Sequence, residues 1–516
     1  MSRNPYLPGL KGAFGFLCLI GLSAAQDKSK ITVKRYFPGN LREPLGVKVV
    51  DGEVYVVVKF ALLRFTDADK DGIAEDTVKI VDFPHELEPE ETGNRYSLDL
   101  KYRAGFFYVA LPTETRAAGF PGYPVMHGRG TVAKIDPVKK TIEYVATGLR
   151  TPDGLGWGPD SALFVTDNQG AWLPSSKLIH VVKNRFFGLQ PVEAGDPSLV
   201  EYPPAVWMPH GEASSSPTQP MLLDKGRFAG QFLVGDNVLG VVNRVSLEQV
   251  AGEFQSALYH FTGGLTCGTH RLLQNASGDV YFGGLGSPTN TWNVKDHYYG
   301  MQVARFNGKA TFEVRDILSR ADGFTLRFTA PAGPSALEAA NYRIRQWRYV
   351  PTKDYGGPKV DNVSLTVGAI TLDATRTLAH IAVTGMKAGS VVDFQFHKDL
   401  SSQDAVPLWT GEARYTLNHI SAETAPFPTG LRDAGTLYGT QGIRIAGARG
   451  RMSLMLPQGS FSDPELFRLD GSTAARLRVD AARPLSLAIP ALGPEVYLAS
   501  LRKTGGGFLR QRVLIP

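Results

Sequence analysis

An all-β chain is predicted: a six-bladed β-propeller (five to six blades by count), then an Ig-like β-sandwich and a small C-terminal β-sandwich. Three observations carry that expectation. Similar apolar runs recur between residues 30 and 315. After the first 25 residues, no segment shows a helical period of any length. After Phe312 the texture changes to short alternating strands.

The recurring runs are "VYVVVK" at Val54, "FFYVAL" at Phe106, "LFVTDN" at Leu163, "FLVGDN" at Phe232 and "VYFGGL" at Val280. Each follows a turn ("VDGE", "YRAG", "GPDS", "FAGQ", "ASGD"), and most are followed by another strand, such as "ALLRFTD" or "GTVAKID". A multi-stranded unit repeating every ~50 residues is the pattern of propeller blades. Five units are clear. A sixth would lie between Phe186 and Leu223, or form by pairing "ITVKRYF" near the start with the last strands. Residues 316–419 then read as the Ig/fibronectin-like sandwich. A Pro/Gly/Thr-rich linker occupies 420–440, and residues 441–516 form the last sandwich.

Residues 1–25 are read as a secretory signal. Arg3 and Lys11 precede an apolar run from Ala13 to Leu22, and small residues follow at Ser23 and Ala25. Leu17 before Cys18 argues against lipoprotein processing. The expectation is an exported chain, periplasmic, at the cell surface or extracellular, with no membrane span. After cleavage Cys267 stands alone, so no internal disulfide is expected. The formal net charge of +6 falls to +4 without Arg3 and Lys11. Residues 421–516 hold 12 Lys and Arg against 7 Asp and Glu, so the body is near −1. That distribution excludes a polyanion groove, and no nucleic-acid partner is expected.

Among motifs, "TDADKDGIAED" has the sharpest chemistry. Asp67, Asp69 and Asp71 alternate before Gly72, with the Ile73 carbonyl and Asp76 following, an oxygen-rich turn suited to Ca2+. Asp76 closes the loop earlier than in an EF-hand, and a solvated acidic turn is the alternative. The stretch "TGLRTPDGLGWGPDSALFVTDNQG" carries Arg150 and Asp153 at its entrance and Asp167, Asn168 and Gln169 at its exit. Arg150 and Asp153 either face a central channel or pair as turn residues. "PPAVWMPHGE" places Trp207, His210 and Glu212 in a proline-rigid loop, and "TCGTHRLLQ" places His270 and Arg271 at a blade entrance. No metal spacing relates these histidines. They are read either as hydrogen-bonded loop residues or as the wall of a polyol pocket with Trp207 as a stacking face.

Together "LLRFTDADKDGIAED", the Gly148 to Val181 stretch, "PPAVWMPHGE", "FTGGLTCGTHRL" and "YRIRQWRYVPTKDYGGPKVD" resemble exported bacterial propellers related to glucose/sorbosone dehydrogenases, over roughly 31–418. Those relatives are six-bladed and use pyrroloquinoline quinone (PQQ) with calcium. The resemblance implies a carbohydrate substrate and an electron acceptor such as a cytochrome. It matches Arg150 to a quinone-holding arginine, with Thr151 and Asp153 replacing Asn and Gln of that motif, and it places Asp167 near the metal. Arg271 joins the cofactor set, and Trp207, Glu212 and Gln169 the substrate set. Where related chains carry a catalytic histidine, this one has Tyr96, whose ordinary pKa is ~10, too high for a base near neutrality. Asp99, His210 and His270 are the candidate replacements. Two readings follow: a quinone- and calcium-dependent sugar or aldose dehydrogenase, or a non-catalytic propeller that binds carbohydrate or a protein. The tail, with Tyr497 and a basic last strand, resembles a type IX secretion sorting domain; the alternative is a carbohydrate-binding or spacer sandwich.

Overall fold

The computed structural model describes residues 35–41, 43–85, 96–113, 127–190, 198–285, 294 and 299–424, and the backbone of seven strands between 444 and 514. The expected signal at 1–25 and the start of "ITVKRYF" lie outside the described residues. Strand dominates, and the helices described are three short 3-10 turns. Among the described residues, no helix is long and apolar enough to cross a membrane. The chain divides into two compact units, Met1–Ala425 and Pro426–Pro516.

The first unit begins with five successive antiparallel sheets. Their first strands are Gly46–Val50, Leu98–Arg103, Pro152–Trp157, Pro217–Leu222 and Arg271–Gln274, and each lies beside the next. This is a propeller-like arrangement with the first strands innermost. Each apolar run noted in the sequence is the second strand of its sheet: Glu53–Val58, Phe106–Leu111, Leu163–Asp167, Phe232–Asp236 and Val280–Gly284. Two strands join from downstream sequence. Arg185–Phe186 pairs in parallel with Thr141–Thr147 of the second sheet, and Val206–Met208 edges the third.

Packing between sheets follows from the strand alternation. Phe107, Val109 and Leu111 are fully buried against Val57, Leu62 and Ile80 of the first sheet. Phe164, Leu178 and Val206 of the third sheet meet Phe232, Val234 and Val245 of the fourth. "DGLGW" shows why glycine alternates in an inner strand. A Cβ on Gly154 would lie 2.3 Å from the Gln219 Cα, and one on Gly156 2.0 Å from the Pro220 oxygen. The third and fourth sheets therefore approach backbone to backbone, with no room for a methyl group between them.

The sandwich is built onto the fourth sheet rather than hung from it. Glu253–Thr262 pairs with Glu412–Leu417, Ser256 opposite Thr416 and Tyr259 opposite Ala413. An eight-stranded sheet thus runs from Pro217–Leu222 through Ser390–Phe396 and Tyr342–Tyr349 to Lys359–Ser364. The facing sheet holds Val314–Arg320, Gly323–Phe328, Leu378–Thr384 and Thr366–Leu372. Between them pack Phe324, Phe394, Ile344, Ile381 and Tyr415, with Ala257 and Tyr259 supplied by the fourth sheet. The expected linker starts later than 420. Ser421 donates its amide to the Ser319 hydroxyl, and Glu423 accepts from the Ala321 amide, so these residues belong to the sandwich.

In the second unit, Arg444–Ala448, Arg451–Met455 and Ser486–Ile489 form one sheet. Thr473–Arg476, Phe461–Phe467, Val496–Lys503 and Phe508–Leu514 form another.

Candidate functional site

Four side chains gather where the third, fourth and fifth sheets meet at the inner strands. Asp153 is the second residue of its inner strand, and Asn237 follows the second strand of the fourth sheet. His270 immediately precedes the inner strand of the fifth, and Arg271 opens it. The Asn237 Nδ2 donates to Asp153 Oδ2 at 3.2 Å and lies 3.4 Å from His270 Nδ1. Asp153 Oδ1 is 3.6 Å from both His270 Nδ1 and an Arg271 guanidinium nitrogen. Asp153, Asn237 and His270 are almost wholly buried, at 4%, 2% and 7% exposure. Arg271 also donates to the His270 carbonyl and approaches the Leu45 carbonyl, tying the fifth sheet to the entrance of the first.

The electrostatics of the group follow from burial. Asp153 is pushed up to about 7, chiefly by loss of solvent and further by Asp99 and Asp236, with Arg271 pulling the other way. His270 falls well below the usual histidine range through burial and the Arg271 charge, so it is neutral. Three polar atoms of this group are buried without a hydrogen-bond partner among the described residues: Asp153 Oδ1, Asn237 Oδ1 and His270 Nε2. Unmade hydrogen bonds on buried atoms are costly, about 1–3 kcal/mol each, and point to a polar occupant.

Asp99 departs from its expected role as a base. Burial raises its pKa, but Lys101, Arg271 and the Leu155 amide outweigh that and hold it down to about 2. Its backbone is left-handed at φ 56°, its Oδ1 accepts from the Leu100 amide, and its Oδ2 accepts from the Leu155 amide at 2.9 Å. Asp99 therefore stitches the second sheet to the third, and its charge faces Arg271.

The "TDN" exit is likewise structural. Asp167 accepts from the amides of Arg150, Thr151 and Asn168, closing the turn into the inner strand. Asp236 does the same one sheet later, accepting from the amides of Ser215 and Ser216 and from the Ser214 hydroxyl. Asp167 is thus a turn-closing acceptor, apart from the acidic loop expected to hold the metal. Burial raises it to about 6, against the pull of Lys177 and those amides. Arg150 does not face Asp153. Its guanidinium donates to the Gln169 carbonyl and lies over the Tyr355 ring at 5.1 Å.

The expected substrate wall lies instead along the seam with the sandwich. Trp207 is held there: its amide donates to the Thr416 hydroxyl, and its ring packs on Tyr349 and Lys177. Glu212 pairs with Lys359 and Arg414, and Gln169 donates to the Pro174 carbonyl beside Gly356. His210 is exposed in the tight turn after Pro209, its amide on the Ser175 hydroxyl, and no contact among the described residues joins it to Asp153 or His270. Tyr96 is half-buried against the second and third sheets, with its carbonyl accepting from Arg129. Burial raises its hydroxyl pKa further, away from service as a base.

The acidic loop brings together Asp67, Asp69, Asp71 and Glu75, whose carboxylate oxygens lie within 4.8 Å of one another. Glu75 takes the place expected for Asp76, because Asp76 opens the next strand opposite Thr66 and so leaves the turn. Gly72, at φ 89°, makes the sharp turn and donates its amide to Asp67 Oδ2. Asp67 Oδ1 is buried without a hydrogen-bond partner among the described residues. The Ile73 amide donates to Asp71 Oδ1. This donor set fits a hard divalent cation.

Asn237 was not anticipated from the sequence. The signal was present: "TDN" and "GDN" close the second strands of two consecutive sheets, so Asn168 and Asn237 hold equivalent places. No protein-family model and no curated protein matches the chain. Solved structures that resemble it include a putative oxidoreductase (glucose dehydrogenase) from Thermus thermophilus, with 12% identity over 52% of this chain and 98% of that one, at a TM-score of 0.35. The PQQ-bound aldose sugar dehydrogenase of Streptomyces coelicolor shares 13% identity over 53% and 98%, at 0.29. The PQQ domain of a Coprinopsis cinerea pyranose dehydrogenase shares 13% over 52% and 94%, at 0.29. These likenesses assign no activity to this chain.

Proposed function

We propose that this chain is an exported, sugar dehydrogenase-like propeller that holds a hydroxyl of a neutral carbohydrate among Asp153, Asn237, His270 and Arg271. The observation that supports this is the set of buried, unpartnered polar atoms around a carboxyl whose pKa lies near neutrality. A base poised there can take up the proton of a bound hydroxyl. Neutral His270 and charged Arg271 would orient the oxygen.

Such an oxidation needs an acceptor for two electrons, which a bound o-quinone of the PQQ class would supply. The described residues do not fit that group where the resemblance puts it. Arg150, the residue matched to the quinone carboxylate, is turned to the Gln169 carbonyl and the Tyr355 ring and does not face Asp153. The same misfit, with Tyr96 in the histidine's place, favours a second reading, a propeller that binds carbohydrate without oxidising it. Calcium belongs to the acidic loop in both readings, as a stabilising ion remote from the chemistry. The tail is proposed to act in sorting.

Purified chain reconstituted with PQQ and Ca2+ is assayed for dye reduction over a panel of aldoses, with sugar affinity measured in parallel. Turnover that Asp153→Asn abolishes supports oxidation. Sugar binding with no turnover leaves the binding reading, and the absence of both binding and turnover would remove both readings.

A further inference from the structure

We infer that the axial site recognises a pair of adjacent hydroxyls, and that Asn237 is the positioning residue that makes His270 a hydrogen-bond donor to them. This rests on the carbohydrate reading above and specifies the polarity of recognition.

The orientation of Asn237 is fixed by its neighbour. Once Asp153 is ionised, above about pH 7, both its oxygens are acceptors, and the amide nitrogen faces Oδ2 at 3.2 Å. The same nitrogen lies 3.4 Å from His270 Nδ1, nearer than Asp153 Oδ1 at 3.6 Å, so the closest polar neighbour of that ring atom is an N–H and Nδ1 is assigned as the lone-pair side. A neutral imidazole with Nδ1 accepting carries its proton on Nε2. The buried atoms left without partners are then two acceptors, Asp153 Oδ1 and Asn237 Oδ1, and one donor, His270 Nε2–H.

That polarity selects a ligand class. A carboxylate offers no proton to two acceptors. An ammonium leaves the Nε2–H without an acceptor. Two neighbouring hydroxyls donate to both oxygens and still accept from His270 and from Arg271, which lies 3.6 Å from Asp153. Specificity of this kind comes from the groups left unpaired when the wrong ligand enters.

The full chain, labelled with 15N-histidine, reports the tautomer by NMR, with His270→Gln identifying the resonance. Wild type is expected to show a neutral ring protonated at Nε2. In Asn237→Asp an acceptor faces Nδ1, and the proton should move there; Asn237→Ser provides a second variant if the first folds poorly. Glucose, sorbitol and myo-inositol should bind wild type and lose about tenfold or more in affinity in either variant, while propionate and propylamine should not compete. A ring protonated at Nδ1 in wild type overturns the proposal, as does competition by propionate equal to that of the sugars. Failure of all three polyols to bind overturns it as well. Polyol binding and the Nε2 proton without any turnover would defeat oxidation alone and leave this inference standing.

Discussion

Asp153→Asn offers a test in which the sign depends on pH. In the folded chain this carboxyl sits at about 7, while an exposed aspartate titrates near its ordinary value of 3.8. Between those values the folded state holds a proton that the unfolded state has lost. Stability therefore falls as pH rises through the window, and the folded chain bears the full penalty only above about 7. At about 1.4 kcal/mol per pH unit, the whole window is worth roughly 4 kcal/mol, of which about 2.5 falls between pH 5 and pH 8. Asparagine removes this dependence, while Asp167 and Glu248, also raised by burial, titrate in both proteins and cancel in the difference. The groups facing Asp153 are Asn237, His270, Arg271, Asp99 and Asp236. The melting temperature of Asp153→Asn relative to wild type should therefore rise by about 3 °C on moving from pH 5 to pH 8. The assay is tryptophan fluorescence melting of both proteins at the two pH values. A difference that stays constant, or moves the other way, would refute the claim that burial holds this carboxyl near neutrality.

Chelation should lower the melting temperature of wild type, since calcium at 100 times its dissociation constant stabilises by about 2.7 kcal/mol; Asp69→Ala should remove that response, and identical curves with and without chelator would leave an acidic turn. Gly156→Ala drives a Cβ into the Pro220 carbonyl and should destabilise the first unit by about 1–3 kcal/mol, whereas Gly411→Ala, with its nearest neighbour at 3.6 Å, should melt like wild type. Trp207→Ala should lower the melting temperature through the seam yet leave sugar affinity unchanged; a selective loss of affinity would return Trp207 to the ligand site. A chain ended after Ala425 should keep the melting transition of the first unit, and in its host should accumulate in the periplasm if the tail sorts; normal appearance outside the cell would end that role.

The second strands of the five sheets were legible because a buried strand must be apolar over its length and is flanked by turns, as at "FFYVAL" and "FLVGDN". Asp153, His270 and Arg271 were legible as polar residues at strand entrances, and the structure brings those three together. Arg150 was not, because a guanidinium at the end of a long side chain chooses a direction that depends on Tyr355, some two hundred residues away. The placement of Trp207 and Glu212 at the seam was not legible for a related reason. Their partners, Thr416, Lys359 and Arg414, lie on sandwich strands whose pairing with the fourth sheet leaves no trace in local periodicity. Glu75 replaced Asp76 because the register of the next strand, not the alternation of acids, decides which carboxylate stays in the turn.

The eight-stranded sheet also decides how this chain can be taken apart. Glu253–Thr262 is ten residues long, and its outer row of amides and carbonyls is matched by Glu412–Leu417. A fragment ending near residue 315 would present that row to solvent, together with Ala257 and Tyr259, which the sandwich core now covers. An open, long and apolar strand edge recruits other chains. The sandwich is in this sense an internal chaperone for its neighbour, and the propeller-like sheets expressed without it are expected to associate into higher-order species rather than remain monodisperse.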